Sequence, residues 1–357
     1  MDNTLDYRAP ENRQTGFDAF YEYHCQTLES GTDLSTERWM NDHNKADFEA
    51  RVATAFWHAT VHHSASNIVL THVIPKLDQD GLDRLADFYT EEHTRRQRLK
   101  FANDCKSTRI NFHKLLLGVG MAIRPYGTLG KAVVAQLQQD DPTSNYQQLM
   151  TWLLDIPYLR GRMTSWQFAE GLHRHADLPI LPNKIGFATG GANGIYEGWC
   201  LANNVLANAN DPLPKNNYAS LERQALKYVK EHPWKHSTLF NLETCLCNYH
   251  GQWIGNRYAG NYIDEQHDLI RNQKDKWPEY KVIFDLAWKA RAAVFPPELV
   301  YELHNPPGEA EKSSWMRSFK DYGRMIRVEA WHNNQPQVWD ELDIVMDTSD
   351  GLMEFME

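Results

Sequence analysis

Two stretches hold residues whose types and spacing could do chemistry. In Phe240-Asn241-Leu242-Glu243-Thr244-Cys245-Leu246-Cys247-Asn248-Tyr249-His250, a helix puts Glu243, Cys247 and His250 on one side. Leu242, Cys245, Leu246 and Tyr249 lie round the other. Cys245, Cys247 and His250 are zinc-ligating types, but cysteines at i and i+2 diverge on a helix. No second cysteine pair completes a tetrahedral set, so no metal is expected. Downstream, Arg257-Tyr258, Asp264-Glu265 and His267-Asp268 form a denser polar cluster than a solvated surface requires, although an exposed acidic helix start after a turn fits the same residues. The second stretch, Leu149 to Leu172, reads as helix, tight hairpin, helix. Pro157 cannot continue the first helix, Gly161 supplies the freedom of the turn, and Trp166, Phe168, Ala169 and Leu172 line the second helix. Exposed hairpin amides and a helix N-terminus make a phosphate site, to which Arg160 and Arg162 add cations. An ordinary αα-hairpin fits the same residues. His58, His62 and His63 lie about a turn apart, in what reads as an ordinary packed helix.

The elements around these stretches are mostly helical in period. Phe17–Leu28, Asp47–His63, Leu82–Phe101, Tyr218–Glu231 and Glu279–Phe295 read as helices. Leu82–Phe101 turns basic in its second half through Arg95, Arg96, Arg98 and Lys100. The best strand pattern is Met325–Trp331. Leu178–Asn217, with Pro179, Pro182, Gly190-Gly191-Ala192-Asn193-Gly194 and Pro214, reads as loop. It lacks the GxxxxGK[ST] arrangement, so the chain is not a P-loop kinase. The expectation is a mainly α protein with a single helical body over 1–327 and an acidic extension over 328–357.

The formal net charge of −10 argues against a nucleic-acid partner until it is divided by region. Residues 1–90 carry 7 basic and 15 acidic residues, net −8; residues 328–357 carry 8 acids and no Lys or Arg, net −8 again. The middle, 91–327, holds 30 basic and 24 acidic residues, net +6, which leaves a polyanion open as partner. No apolar run is long enough to span a membrane, and the N-terminus has no hydrophobic signal core. Five cysteines suit a reducing compartment. The 12 Trp, 16 Tyr and 14 Phe supply core, lids or stacking platforms for bases.

Asp155-Ile156-Pro157-Tyr158-Leu159-Arg160-Gly161-Arg162-Met163-Thr164-Ser165-Trp166 resembles the signature of phage amino acid:DNA transferases, and so does Leu242–Cys247 with Arg257–Asp264. The resemblance spans roughly residues 15–300. These enzymes are relatives of the alpha-glutamyl/putrescinyl thymine pyrophosphorylases. The resemblance implies a helical, DNA glycosylase-like fold with a helix-hairpin-helix element. Tyr158 stands where that element's pattern, Leu-Pro-Gly-Ile-Gly, has its first glycine. Where a glycosylase's catalytic aspartate is sought, the chain offers Asn183, which puts base excision in doubt.

The resemblance further implies a substrate and a setting. In the cytoplasm of an infected bacterium, a separate kinase converts 5-hydroxymethyluracil in double-stranded DNA to a pyrophosphoryl ester. The transferase then replaces pyrophosphate with a free amino acid; no cofactor is expected from the sequence. The base must leave the stack, the leaving anion needs cations, the ammonium must lose a proton and the amino acid's carboxylate needs a clamp. Glu243 is the first candidate for base or ammonium anchor and Asp264 the second. Arg257 and Arg162 are candidates for carboxylate or pyrophosphate, with Tyr258 and Trp166 as pocket walls. Arg160, Gly161, Arg162 and Thr164 would meet DNA at the hairpin; Arg95, Arg96, Arg98, Lys100, Lys106, Arg109 and Lys114 would follow its backbone, though a solvated helix face fits that run equally. Two rivals remain: a glycosylase-like protein that binds or excises a base, and a helical partner of the kinase without chemistry of its own.

Overall fold

The computed structural model describes residues 5–29, 41, 45–101, 111–138, 140–188, 193–214, 217–263, 270, 272, 274–294 and 309–333. These are mainly helical, with no strand among them. In chain order the helices are α1 Arg13–Glu29, α2 Phe48–Thr60, α3 Ser64–Val73, α4 Gln79–Tyr89, α5 Phe112–Ile123, α6 Leu129–Val134 and α7 Pro142–Leu154. There follow α8 Arg162–His175, α9 Asn193–Ala202, α10 Tyr218–Glu231, α11 Leu239–Trp253, α12 Lys281–Val294, α13 Glu309–Tyr322 and α14 Ile326–Asn333. Their starts are written locally. Asp47, Asp78, Asn111, Thr128, Asp141, Asn217 and Thr238 each accept a backbone amide of the first turn through the side chain.

The chain divides into two compact units. One comprises Met1–Ser35, Asn183–His267 and Arg291–Asp343. Its centre is α11, against which α1, α9, α10 and α13 pack. Gly198 permits the closest of these approaches: a Cβ there would lie 2.1 Å from the carbonyl oxygen of Leu246. The other unit comprises Thr36–Pro182, Asp268–Ala290 and Ile344–Glu357. Its densest contact is α2 on α8, where Gly171 sits against the backbone of Ala55.

Three sequence expectations need correction. Met325–Trp331 is not a strand, because α14 covers Ile326–Asn333. Val328 and Trp331 are buried at helical spacing, and Trp331 donates its Nε1 hydrogen to Gln26 Oε1 at 2.8 Å. Leu82–Phe101 is not one helix. After α4 the chain makes a π turn over Thr90–Arg95, and Gln97 takes φ 56°. The amides of Arg98 and Leu99 then both bond the Glu92 carbonyl, which ends the helix. The Leu178–Asn217 segment is not loop throughout either, since it contains α9. Gly194, which read as a loop signal, lies inside α9 against His250 and Cys247.

Candidate functional site

α11 is buried almost throughout. Over 239–252 only Thr244, Cys247 and His250 stand partly open, three residues apart, so they form one stripe. Glu243 lies one turn before Cys247 on that face and is 6% exposed. α9 runs across the stripe. From it Glu197 Oε2 lies 2.8 Å from His250 Nε2, and Gly194 sits beside His250 Nδ1. The chain leaving α11 turns back at Gly255, φ 74°, and brings in Arg257. Arg257 Nη1 donates to Asn248 Oδ1 at 2.9 Å and lies 3.4 Å from Cys247 Sγ. Its guanidinium stands 5.4 Å from the centre of the Tyr262 ring. Burial holds the His250 imidazole below its ordinary pKa; Arg257 adds to this and Glu197 opposes it.

The structure thus brings Glu243, Cys247, His250 and Arg257 to one face and adds Glu197, which sequence reasoning missed. The available signal was Gly194-x-x-x-Gly198, a spacing that lets one helix approach another closely, with Glu197 inside it. Tyr258 is buried in a packed cleft of about 10 Å³ with Gln252, Ala259 and Phe319. Asp264, Lys106 and Arg109 lie outside the described residues. No group of three or more His, Cys, Asp or Glu among the described residues is placed to hold a metal ion.

In the other unit, the hairpin between α7 and α8 is as tight as its residues require. Tyr158 takes φ 73°, a left-handed conformation that glycine adopts without cost. Burial pushes its hydroxyl up to about 12. α5 crosses the hairpin so closely that a Cβ on Gly118 would fall 2.0 Å from the Pro157 carbonyl. Gly161 caps α8 without a side chain; Arg160 is exposed, while Arg162 and Thr164 are half-buried. Trp166 is buried and meets Tyr146 edge-on.

The three arginines that open the basic run are paired. Arg95 bonds Glu91 at 3.1 Å, and Arg96 reaches Glu91 at 2.8 Å. Arg98 bonds Glu92 at 2.7 Å and Glu279, and stacks on Trp277 at 4.3 Å. Those carboxylates hold the Arg98 pKa above its ordinary value. Lys100 and Lys114 are exposed. Beside the run, Tyr89 and Phe112 stack at 3.6 Å in a groove of about 760 Å³. Of the histidines noted in sequence, His58 meets His175 edge-on from α2, and His63, beyond the end of α2 at Thr60, caps α3.

A helical protein with a carboxylate–imidazole pair, an arginine and a thiol on one helix face has the means to move a proton and hold an anion. Comparison with known families agrees in substance. The amino acid:DNA transferase family matches residues 47–258, a span that includes the hairpin and α11 with Glu197, His250 and Arg257. The chain belongs to that family, and its activity is that of a transferase acting on DNA with an amino acid. No curated protein and no solved structure matches it.

Proposed function

We propose that the protein transfers an amino acid onto 5-hydroxymethyluracil already pyrophosphorylated in duplex DNA, with release of pyrophosphate. The family match over residues 47–258 carries this reading, and the α11 face supplies groups the reaction needs. The attacking amine forms a nitrogen–carbon bond to the base's methylene. The carbon–oxygen bond breaks with its electrons leaving on pyrophosphate. Glu243 anchors the ammonium or takes its proton, with Asp264 as second candidate for that task. Arg257 meets the amino acid's carboxylate or the leaving anion.

DNA would be held at the hairpin. The amides at the start of α8 lack a side-chain cap from Gly161, and Arg160 and Arg162 flank them. That suits a backbone phosphate. The kinase that makes the ester is the natural partner. Radiolabelled pyrophosphate in the substrate DNA gives the test. Release that depends on added amino acid supports the reading; release without any amino acid, or none at all, contradicts it.

A further inference from the structure

The pair formed by Glu197 and His250 has the geometry of a proton acceptor. With a carboxylate 2.8 Å from Nε2, the proton of a neutral imidazole resides on that nitrogen and the lone pair on Nδ1. Nδ1 is the nitrogen beside Gly194, where an added Cβ would stand 3.3 Å away. A side chain at that position would crowd Nδ1, so glycine is the residue that leaves the nitrogen unobstructed by a Cβ.

Arg257 is fixed on the same side of α11 through Asn248 and Cys247, whose position is three residues before His250. A proton acceptor and a guanidinium on one face match the two ends of an α-amino acid. The charged groups acting on the ring are Glu197 from α9 and Arg257 after α11; Glu243 and Cys247 are the titratable groups on its own helix face. On the other helices packed against α11, Arg13 stacks on Trp253, the Glu222 carboxylate accepts the amides of 185–187, and Lys320 reaches Gly255.

We infer that this face is the α-amino-acid subsite, in which His250 Nδ1 takes the proton from the attacking nitrogen and Arg257 holds the same molecule's carboxylate. Glu197 is a positioning residue that fixes the tautomer. The inference rests on the transfer reading above and narrows it: Glu243 then holds the ammonium, and His250 is the base. In the step, the nitrogen gives a proton to Nδ1, its freed electron pair bonds the methylene carbon, and pyrophosphate leaves with the electrons of the carbon–oxygen bond. His250 returns its proton to solvent.

The test is single-turnover transfer onto pyrophosphorylated DNA by wild type, His250→Gln and Glu197→Gln. Two nucleophiles are compared: the amino acid that a mixture of the common amino acids shows to be transferred, and its α-aminooxy analogue. The analogue's nitrogen is unprotonated at neutral pH and needs no base. His250→Gln is expected to lose about 10²-fold with the amino acid and to keep most of its rate with the analogue. The part of the wild-type pH dependence set by the imidazole should vanish in the variant, leaving only the rise that follows the amino acid's own ammonium. Glu197→Gln should show the same selective pattern with a smaller loss. Equal losses with both nucleophiles, or no loss with the amino acid, would overturn the inference while leaving transfer intact. A wild type inactive with every amino acid would instead overturn the transfer reading.

Discussion

Arg257 is held by Asn248 through one of its guanidinium nitrogens, so its plane is set rather than free to rotate. Arg257→Lys keeps the charge and loses the planar fork. The account predicts a rise in KM for the amino acid of about tenfold or more, with KM for DNA little changed. Steady-state kinetics with each substrate varied in turn checks this. A second residue-scale prediction concerns acid stability. Burial lowers the pKa of His72, of His173 and of His250. Each therefore takes up its proton more readily unfolded than folded. The stability they allow is full above the unfolded value of 6.5 and falls as pH drops below it. Thermal melting should show Tm declining between about pH 6.5 and 5. The lowered carboxylates, Asp78 and Glu279 among them, lose their contribution only at lower pH, as protons reach their depressed pKa values.

At the scale of elements, two glycines in helices should respond oppositely to alanine. At Gly198 the new Cβ would fall 2.1 Å from a backbone oxygen of α11, so α9 must move away and carry Glu197 with it. Gly198→Ala should cost about 1–3 kcal/mol of stability and reduce transfer as well. At Gly120 in α5 the nearest atom would be Leu82 Cδ1 at 3.8 Å, an ordinary contact. Gly120→Ala should stabilise by about 0.5–1 kcal/mol. Denaturant melts of both variants decide the point.

The same pair of helices shows what the sequence could and could not reveal. The α11 face was readable, because Glu243, Cys247 and His250 recur at helical spacing among apolar neighbours. Glu197 was not, because Gly190, Gly191 and Gly194 read locally as a loop, and only packing on α11 explains glycine inside a helix. α14 misled for a related reason. Met325 to Trp331 alternates in polarity over a few residues, while its burial against α1 follows the helical period. At the hairpin, Pro157 and Gly161 marked the turn, while the left-handed conformation of Tyr158 is one that its residue type does not favour.

For the molecule as a whole, the basic middle of the chain is less available than its count implies. Arg95, Arg96 and Arg98 are engaged by Glu91, Glu92 and Glu279. Arg98→Ala should therefore act mainly on stability, costing about 1–3 kcal/mol. Arg160 stands exposed at the hairpin beside Arg162. Replacing both with Ala should weaken DNA binding across sequences and reduce the slope of log affinity against log salt by about 2. Binding isotherms over a salt series separate the two classes of arginine. The central claim, that the protein joins an amino acid to a pyrophosphorylated base in DNA, is tested most directly by the mass of the product. Pyrophosphorylated hydroxymethyluracil DNA would be incubated with the protein and a mixture of amino acids, digested to nucleosides and weighed. The expected result is a new nucleoside whose mass equals that of the thymidine methylene joined through nitrogen to one amino acid. Loss of the modified base as free base with abasic sites, or no new nucleoside under any mixture, would contradict it.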